Sequence, residues 1–292
     1  MQQSTRGNYR DFWRQLVTLA AIFGAFVINV VSNVFPLNGL SIGEISNTLF
    51  KNVLIIPANY AFAIWGLIYL GLFAFGIYQA LPNQRDEPDL RKTGYLLVIA
   101  CVAQSIWVYL FLSRLFALSV IAMLLILLPL IGVYVQLEIG KSRVPRLKKW
   151  CLHFPISIYL GWISVATIVN IACALYFHGW NGWGISAITW TLIMALIATA
   201  VAAVIVIQRR DIAYAGVILW ALVAIALKHS DNSILRNTVF VLAIVLVLTA
   251  TIKSLRPQQE IFNCDRLPAH RRLTPQVYLT FPRLCSGKRF RL

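Results

Sequence analysis

Long apolar runs separated by short basic segments dominate this sequence of 292 residues and leave few folds open to it. A helix that crosses a membrane needs about 20 mostly apolar residues. The sequence contains eight such candidates, of which the last two are the shortest. They are Leu16–Val34, Tyr60–Leu81, Gly94–Leu112, Leu115–Val135, Phe154–Phe177, Ile185–Ile207, Ile212–Leu227 and Thr238–Ile252. The predicted fold class is therefore all-α, a polytopic membrane helix bundle of about eight transmembrane helices.

The composition excludes the alternatives to a membrane protein. Only 12% of the residues are charged and 59% are hydrophobic. A soluble domain has about a quarter of its residues charged, so this chain has too few polar groups to cover a water-facing surface. A disordered chain and a soluble nucleic-acid-binding protein are excluded for the same reason, and we expect no specific nucleic-acid partner.

The net charge of +16 predicts how the helices are oriented. With eight spans, 22 of the 26 Lys and Arg residues fall on the side that holds both termini. The remaining four are Lys51, Arg114, Lys228 and Arg236. Because cytoplasmic segments are enriched in basic residues, we expect a multi-pass protein of the plasma or inner membrane with cytoplasmic N- and C-termini.

The last 36 residues form a basic, proline-containing tail, 257–292, which shows no helical periodicity. We expect this segment to be a disordered cytoplasmic tail. Its positive charge predicts attraction to anionic lipid headgroups, so membrane lipid is an expected partner.

Catalytic and metal-binding patterns are missing from the predicted spans. No Asp, Glu, Lys or Arg lies near the middle of any span, and intramembrane charges are the usual mark of a proton relay or an ion pathway. The four histidines and five cysteines show no spacing typical of a metal site or a nucleophile–base pair. The sequence therefore predicts no catalytic residue, no metal site and no resident cofactor, and a protein that is not an enzyme.

Three predicted spans each carry aromatic and polar residues on one helical face. These are Trp65 and Tyr69, preceded by Pro57, in the second span; Gln104, Trp107 and Phe111 in the third; and Tyr159, Trp162, Ala166 and Asn170, flanked by Thr167, in the fifth. Amides should face the protein interior, since lipid offers them no hydrogen bond. These three stripes of residues, one on each span, either join helices to one another or line a pocket for a flat hydrophobic ligand. Spacing alone leaves both interpretations open.

The same residues resemble the motifs of the TspO/peripheral benzodiazepine receptor family, also called tryptophan-rich sensory proteins. The motifs are Trp65-x-x-x-Tyr69 after Pro57, Gln104-x-x-Trp107-x-x-x-Phe111, and Tyr159-x-x-Trp162-x-x-x-Ala166-Thr167-x-x-Asn170. The chain departs from the family pattern at Gln104, where the family has Asn, and at Pro57, where the family has paired prolines. It therefore resembles a divergent and extended member.

The resemblance covers roughly residues 12–176 and implies a five-helix bundle around a ligand cavity. It divides the chain into a TspO-like bundle, 1–176, a three-helix membrane extension, 177–256, and the tail. Family members bind porphyrins, sterols and benzodiazepine-type drugs, so the eleven motif positions are implied to line or support a ligand-binding cavity. A tetrapyrrole is then expected as a ligand and not as a cofactor. Two roles remain open for the extension: a lipid-facing partner bundle or a surface for homodimer formation.

The sequence leaves three alternative functions open. The first is binding, and with it transport or sensing, of a hydrophobic small molecule such as a porphyrin. The second is a facilitative permease or exporter for a small neutral solute, from the helix count and the absence of buried charge. The third is an enzyme that acts on a lipid-soluble substrate through the mid-span polar groups of Tyr69, Gln104 and Asn170.

Overall fold

The protein is an all-helical bundle over the part of the chain that the structure describes. The structure is a computed structural model that describes residues 2–93 and 95–255, with side chains from residue 9 onward. Ten α-helices of six or more residues lie in this part: α1 (Gln2–Val34), α2 (Ile42–Thr48), α3 (Ile64–Ala80), α4 (Pro88–Thr93), α5 (Leu96–Leu112), α6 (Phe116–Gln136), α7 (Phe154–Phe177), α8 (Ala187–Arg209), α9 (Ile212–Lys228) and α10 (Ser233–Leu255). The predicted tail, 257–292, lies outside the described residues.

The eight predicted spans correspond in order to α1, α3, α5, α6, α7, α8, α9 and α10. Six of these are long and apolar enough to cross a membrane, counting for α3 and α7 the helical turns that precede them. The other two, α5 and α9, are apolar helices of 17 residues each. The predicted all-α membrane helix bundle is therefore confirmed.

Two helices are longer than their apolar runs. The first, α1, begins at Gln2, before the predicted start at Leu16, because its polar N-terminal residues continue the same helix. The last, α10, has 23 residues and begins at Ser233, since the side chain of Asn232 accepts a hydrogen bond from the backbone N–H of Leu235 at 3.0 Å. An asparagine at this position caps the helix, which therefore begins five residues before the apolar run.

The five helices α1, α3, α5, α6 and α7 pack together, and α9 lies along α7 with α8 against it. Helices α7 and α9 approach closely at Gly161, where a β-carbon would lie 3.0 Å from Cβ of Val217 and 3.3 Å from the carbonyl oxygen of Tyr214. Most residues of α7 are buried, so it is the central helix that joins the five-helix bundle to the extension.

A buried carboxylate fastens the extension to this bundle. Asp211 is the N-cap of α9 and accepts the backbone N–H of Tyr214 at 3.1 Å. Its other oxygen, Oδ2, accepts the hydroxyl of Tyr134 in α6 at 2.9 Å and the hydroxyl of Ser157 in α7 at 2.7 Å. One side chain that is 7% exposed thus connects three helices.

Polar contacts gather at the two ends of the bundle in the alternation that eight spans require. At one end, Arg91 in α4 pairs with Asp11 near the start of α1, and Arg209 Nη1 donates to the carbonyl oxygen of Ile139 at 3.2 Å. This end therefore joins the N-terminal segment to the loops that follow α3, α6 and α8, the segments where the sequence places most basic residues.

The opposite end joins the remaining loops. Asn38 Nδ2, after α1, donates to the carbonyl oxygen of Leu112 at the end of α5 at 3.3 Å. Asn52 Nδ2, before α3, donates to the hydroxyl of Tyr176 at the end of α7 at 3.1 Å. The cytoplasmic assignment of the basic end stays a prediction.

Candidate functional site

A cavity of about 470 Å³ lies within the five-helix bundle. Its wall is formed by α1, α2, α3, α5, α6 and α7 and by the segment that leads into α3. The volume falls within the range of about 300–1,000 Å³ that is typical of small-molecule sites. Residues from distant parts of the chain meet here, so the cavity is the candidate functional site.

Eight of the eleven predicted site residues lie in the cavity wall. These are Pro57, Trp65, Gln104, Trp107, Phe111, Trp162, Ala166 and Asn170. The other three, Tyr69, Tyr159 and Thr167, are buried outside the wall. The structure thus brings the stripes of three predicted spans to one cavity, while ligand binding by these residues stays a prediction.

Gln104 is held in the wall by two tyrosines. Its Nε2 donates to the hydroxyl of Tyr69 at 2.8 Å, and the hydroxyl of Tyr159 donates to its Oε1. The Tyr69 hydroxyl in turn donates to the carbonyl oxygen of Ala25 at 3.1 Å. This chain of bonds joins α1, α3, α5 and α7 and fixes the Gln104 amide, which explains why both tyrosines stand behind the wall.

Asn170 forms a second group of hydrogen bonds. The indole N–H of Trp107 donates to Asn170 Oδ1 at 2.5 Å, and Asn170 Nδ2 donates to the hydroxyl of Ser119 at 2.9 Å. Thr167 takes no part, because its hydroxyl donates to the carbonyl oxygen of Ile163 on its own helix at 2.7 Å. The two amides therefore join helices and line the cavity at once, so the two interpretations of the stripes are compatible.

Two tryptophans in the wall retain unused donors. Trp65 packs edge-on against Tyr159 with ring centroids 6.0 Å apart, and Trp162 packs edge-on against Phe62 at 5.9 Å. Neither indole N–H makes a hydrogen bond to any residue that the structure describes. These rings offer a ligand both an aromatic surface and a hydrogen-bond donor.

The polar part of the wall was missed by the sequence analysis. It comes from the end of α1, from α2 with the turn before it, and from the segment before α3. Its residues are Asn29, Asn33, Ser41, Glu44, Ser46 and Asn59. The signal for α2 is present in the sequence as Ser41-x-x-Glu44, the pattern of a capping box at a helix N-terminus.

The capping box is complete in the structure. Glu44 Oε2 accepts the backbone N–H and the hydroxyl of Ser41, each at 2.7 Å, and the Ser41 hydroxyl accepts the backbone N–H of Glu44 at 3.3 Å. Hydrogen bonds from the Ser41 backbone and hydroxyl stabilise the carboxylate and lower the pKa of Glu44. Glu44 is therefore an anion at neutral pH.

The extension supports the segment that enters the cavity. In α9, the indole N–H of Trp220 donates to the carbonyl oxygen of Ala61 at 3.0 Å. The backbone N–H of Ala58 donates to the carbonyl oxygen of Ala224, also in α9, at 3.3 Å. Since this segment carries Pro57 into the wall, α9 fixes part of the cavity from behind.

The end of α9 continues this support. Lys228 Nζ donates to the carbonyl oxygen of Ile56 at 3.2 Å. The imidazole Nε2 of His229 donates to the carbonyl oxygen of Leu54 at 2.8 Å, and burial lowers the pKa of His229, so the ring is neutral at pH 7. Four hydrogen bonds, three from α9 and one from His229 directly after it, thus hold the segment 54–61.

Glu44 is the one ionisable side chain in the wall among the described residues. The same part of the chain holds no group of three or more His, Cys, Asp or Glu side chains that is placed to bind a metal ion. The arrangement is therefore suited to recognition of a ligand by aromatic rings, amides and one carboxylate.

Comparison with known proteins agrees with this geometry. A family profile described as TSPO-like protein matches residues 15–252, which is more than half of the chain. No curated protein and no solved structure matches it. The matched range includes α8, α9 and nearly all of α10, and so extends beyond the residues that carry the motifs.

Proposed function

This chain belongs to the TSPO-like family of membrane proteins, and we propose that it binds a flat, largely hydrophobic ligand in the cavity between α1, α3, α5, α6 and α7. A tetrapyrrole is the ligand that the motif resemblance implies. The proposal concerns binding without covalent chemistry.

The uneven wall of the cavity carries this proposal. One part is made of aromatic and aliphatic side chains, among them Trp65, Trp107 and Trp162, while the other part carries amides, hydroxyls and a carboxylate. A site of this kind buries the apolar body of a ligand and orients it through a few polar groups. A permease for a small neutral solute has no need of so many stacking surfaces.

The test is a titration of the protein, purified in a neutral detergent, with protoporphyrin dimethyl ester. Tryptophan fluorescence reports binding, and the ester is used because it is uncharged. We expect saturable quenching, weakened about three- to tenfold in Trp107→Phe and in Trp162→Phe, since phenylalanine has a smaller ring and no indole N–H, a loss of about 0.7–1.4 kcal/mol.

The matched control is Trp150→Phe, because Trp150 is 61% exposed and lies outside the cavity. This variant also loses one tryptophan but should keep the affinity of the unaltered protein. Quenching that does not saturate, or that is the same in all four proteins, contradicts the proposal.

A further inference from the structure

The cavity wall has one formal charge, and it is negative. Glu44 contributes this charge, and no Lys, Arg or His lines the cavity among the residues that the structure describes. This balance is the reverse of that of the whole chain, which carries 26 basic and 10 acidic residues. The negative charge of the wall is therefore not a consequence of the overall composition, which is basic.

The geometry of Glu44 leaves it available to a ligand. Both bonds from Ser41 go to Oε2, so Oε1 has no hydrogen-bond partner among the described residues. The side chain is exposed, and its fixed oxygen holds the carboxylate in place. One free oxygen on a positioned anion is an acceptor for a cationic donor.

The neighbouring asparagines add amide acceptors and donors but no positive charge. The side-chain amide of Asn29 makes no hydrogen bond to any described residue, although its backbone oxygen accepts the Nδ2 of Asn33 at 2.8 Å. Asn59 Oδ1 accepts the Nδ2 of Asn47 at 2.6 Å. An ammonium group can meet amide oxygens and a carboxylate here, whereas a ligand carboxylate would meet a like charge and no counter-ion.

We propose that the natural ligand is a cationic amphiphile: an aromatic body that lies against the tryptophans, with an amine-type cation that pairs with Glu44. This rests on the proposed function, since it assigns the charge of the ligand bound in the same cavity. A ligand whose polar end is a carboxylate is disfavoured, so among tetrapyrroles we expect those with free carboxylates to bind more weakly than uncharged or amine-bearing ones.

The test uses three probes with one ring system. They are protoporphyrin as the free diacid, its uncharged dimethyl ester, and its diamide with ethylenediamine, which carries ammonium groups. Each is titrated into the intact protein in neutral detergent at low ionic strength, with tryptophan fluorescence as the readout. We expect the ammonium probe to bind about threefold more tightly than the ester and the diacid to bind least tightly, since exposed ion pairs are modest in strength.

The decisive variant is Glu44→Gln, because glutamine also completes a capping box and so preserves α2. We expect the ratio of the two affinities, ammonium probe over ester, to fall from about threefold to about one in this variant. Asp231→Asn is the matched control: it also removes one exposed carboxylate but lies outside the cavity wall. It should keep the full preference, and added salt should reduce the preference in the unaltered protein.

The outcomes separate the two proposals. Saturable binding of the ester with equal affinity for the ammonium and diacid probes overturns the cationic ligand and leaves the proposed function intact. A preference that persists in Glu44→Gln also overturns it, because the cation must then pair elsewhere. Failure of all three probes to bind overturns the proposed function and the cationic ligand with it.

Discussion

Replacing Asp211 with alanine should detach the extension from the five-helix bundle. The substitution removes the N-cap of α9 and leaves the buried hydroxyls of Tyr134 and Ser157 without their hydrogen-bond acceptor. A cap contributes about 1 kcal/mol and a hydrogen bond to a charged group about 1.5 kcal/mol, so the free energy of unfolding should fall by about 4 kcal/mol. Asp211→Asn keeps a capping oxygen and should lose about half as much.

The measurement is unfolding by sodium dodecyl sulfate in mixed micelles, followed by far-UV circular dichroism so that no tryptophan need be changed. Tyr134→Phe and Ser157→Ala should each lose about 1.5 kcal/mol, since each removes one of the two hydroxyl donors. The control is Asp86→Ala, because the Asp86 side chain is 81% exposed and its ion pair should contribute less than about 1 kcal/mol. A loss below about 1 kcal/mol in Asp211→Ala, or equal losses in Asp211→Ala and Asp211→Asn, would refute the reasoning.

Three further predictions concern the same framework. Trp220→Phe removes the hydrogen-bond donor to the carbonyl oxygen of Ala61. The affinity for protoporphyrin dimethyl ester should fall about threefold, which corresponds to the roughly 0.6 kcal/mol of a hydrogen bond in a membrane protein. An unchanged affinity contradicts the supporting role of α9. Gly140 has φ +78°, and a β-carbon there would lie 1.8 Å from the carbonyl oxygen of Arg209. Gly140→Ala should therefore lower the free energy of unfolding by at least about 2 kcal/mol, and a variant as stable as the unaltered protein contradicts this close approach. A reporter fused after Leu292 should be active on the cytoplasmic side, and activity on the other side contradicts the assignment of the basic end.

The helices were predictable because their signal is local. Each apolar run is long enough to specify a span by itself, and the ends that were missed depend on single polar residues such as the cap Asn232. The inward faces of α3, α5 and α7 followed from helical spacing, since an amide such as Gln104 cannot face lipid. Helical spacing does not reveal which residues on other helices are hydrogen-bond partners. Gln104 bonds to Tyr69 and Tyr159, which lie 35 and 55 positions away in the sequence.

The polar part of the cavity could be predicted only in fragments. Ser41-x-x-Glu44 predicts a helix start, and the structure shows the corresponding helix, α2. Nothing in that pattern places the helix over a cavity, because the placement depends on how α1 and α3 are packed. Asn29 and Asn33 are one turn apart near the end of α1 and carry no signal that separates a cavity wall from a solvated helix end.

The role of the extension shows most clearly why spacing alone was insufficient. Two roles were open for it from the sequence, a lipid-facing bundle and a dimer surface, and both treat it as independent of the site. The structure instead connects α9 and the residue after it, His229, to the segment 54–61 by four hydrogen bonds, and Pro57 within that segment lies in the cavity wall. Because buried backbone groups must find hydrogen-bond partners, this segment, whose residues 54–58 are not helical, needs a neighbour that supplies them. The extension supplies these partners, so the shape of the cavity depends on helices that contribute no residue to its wall.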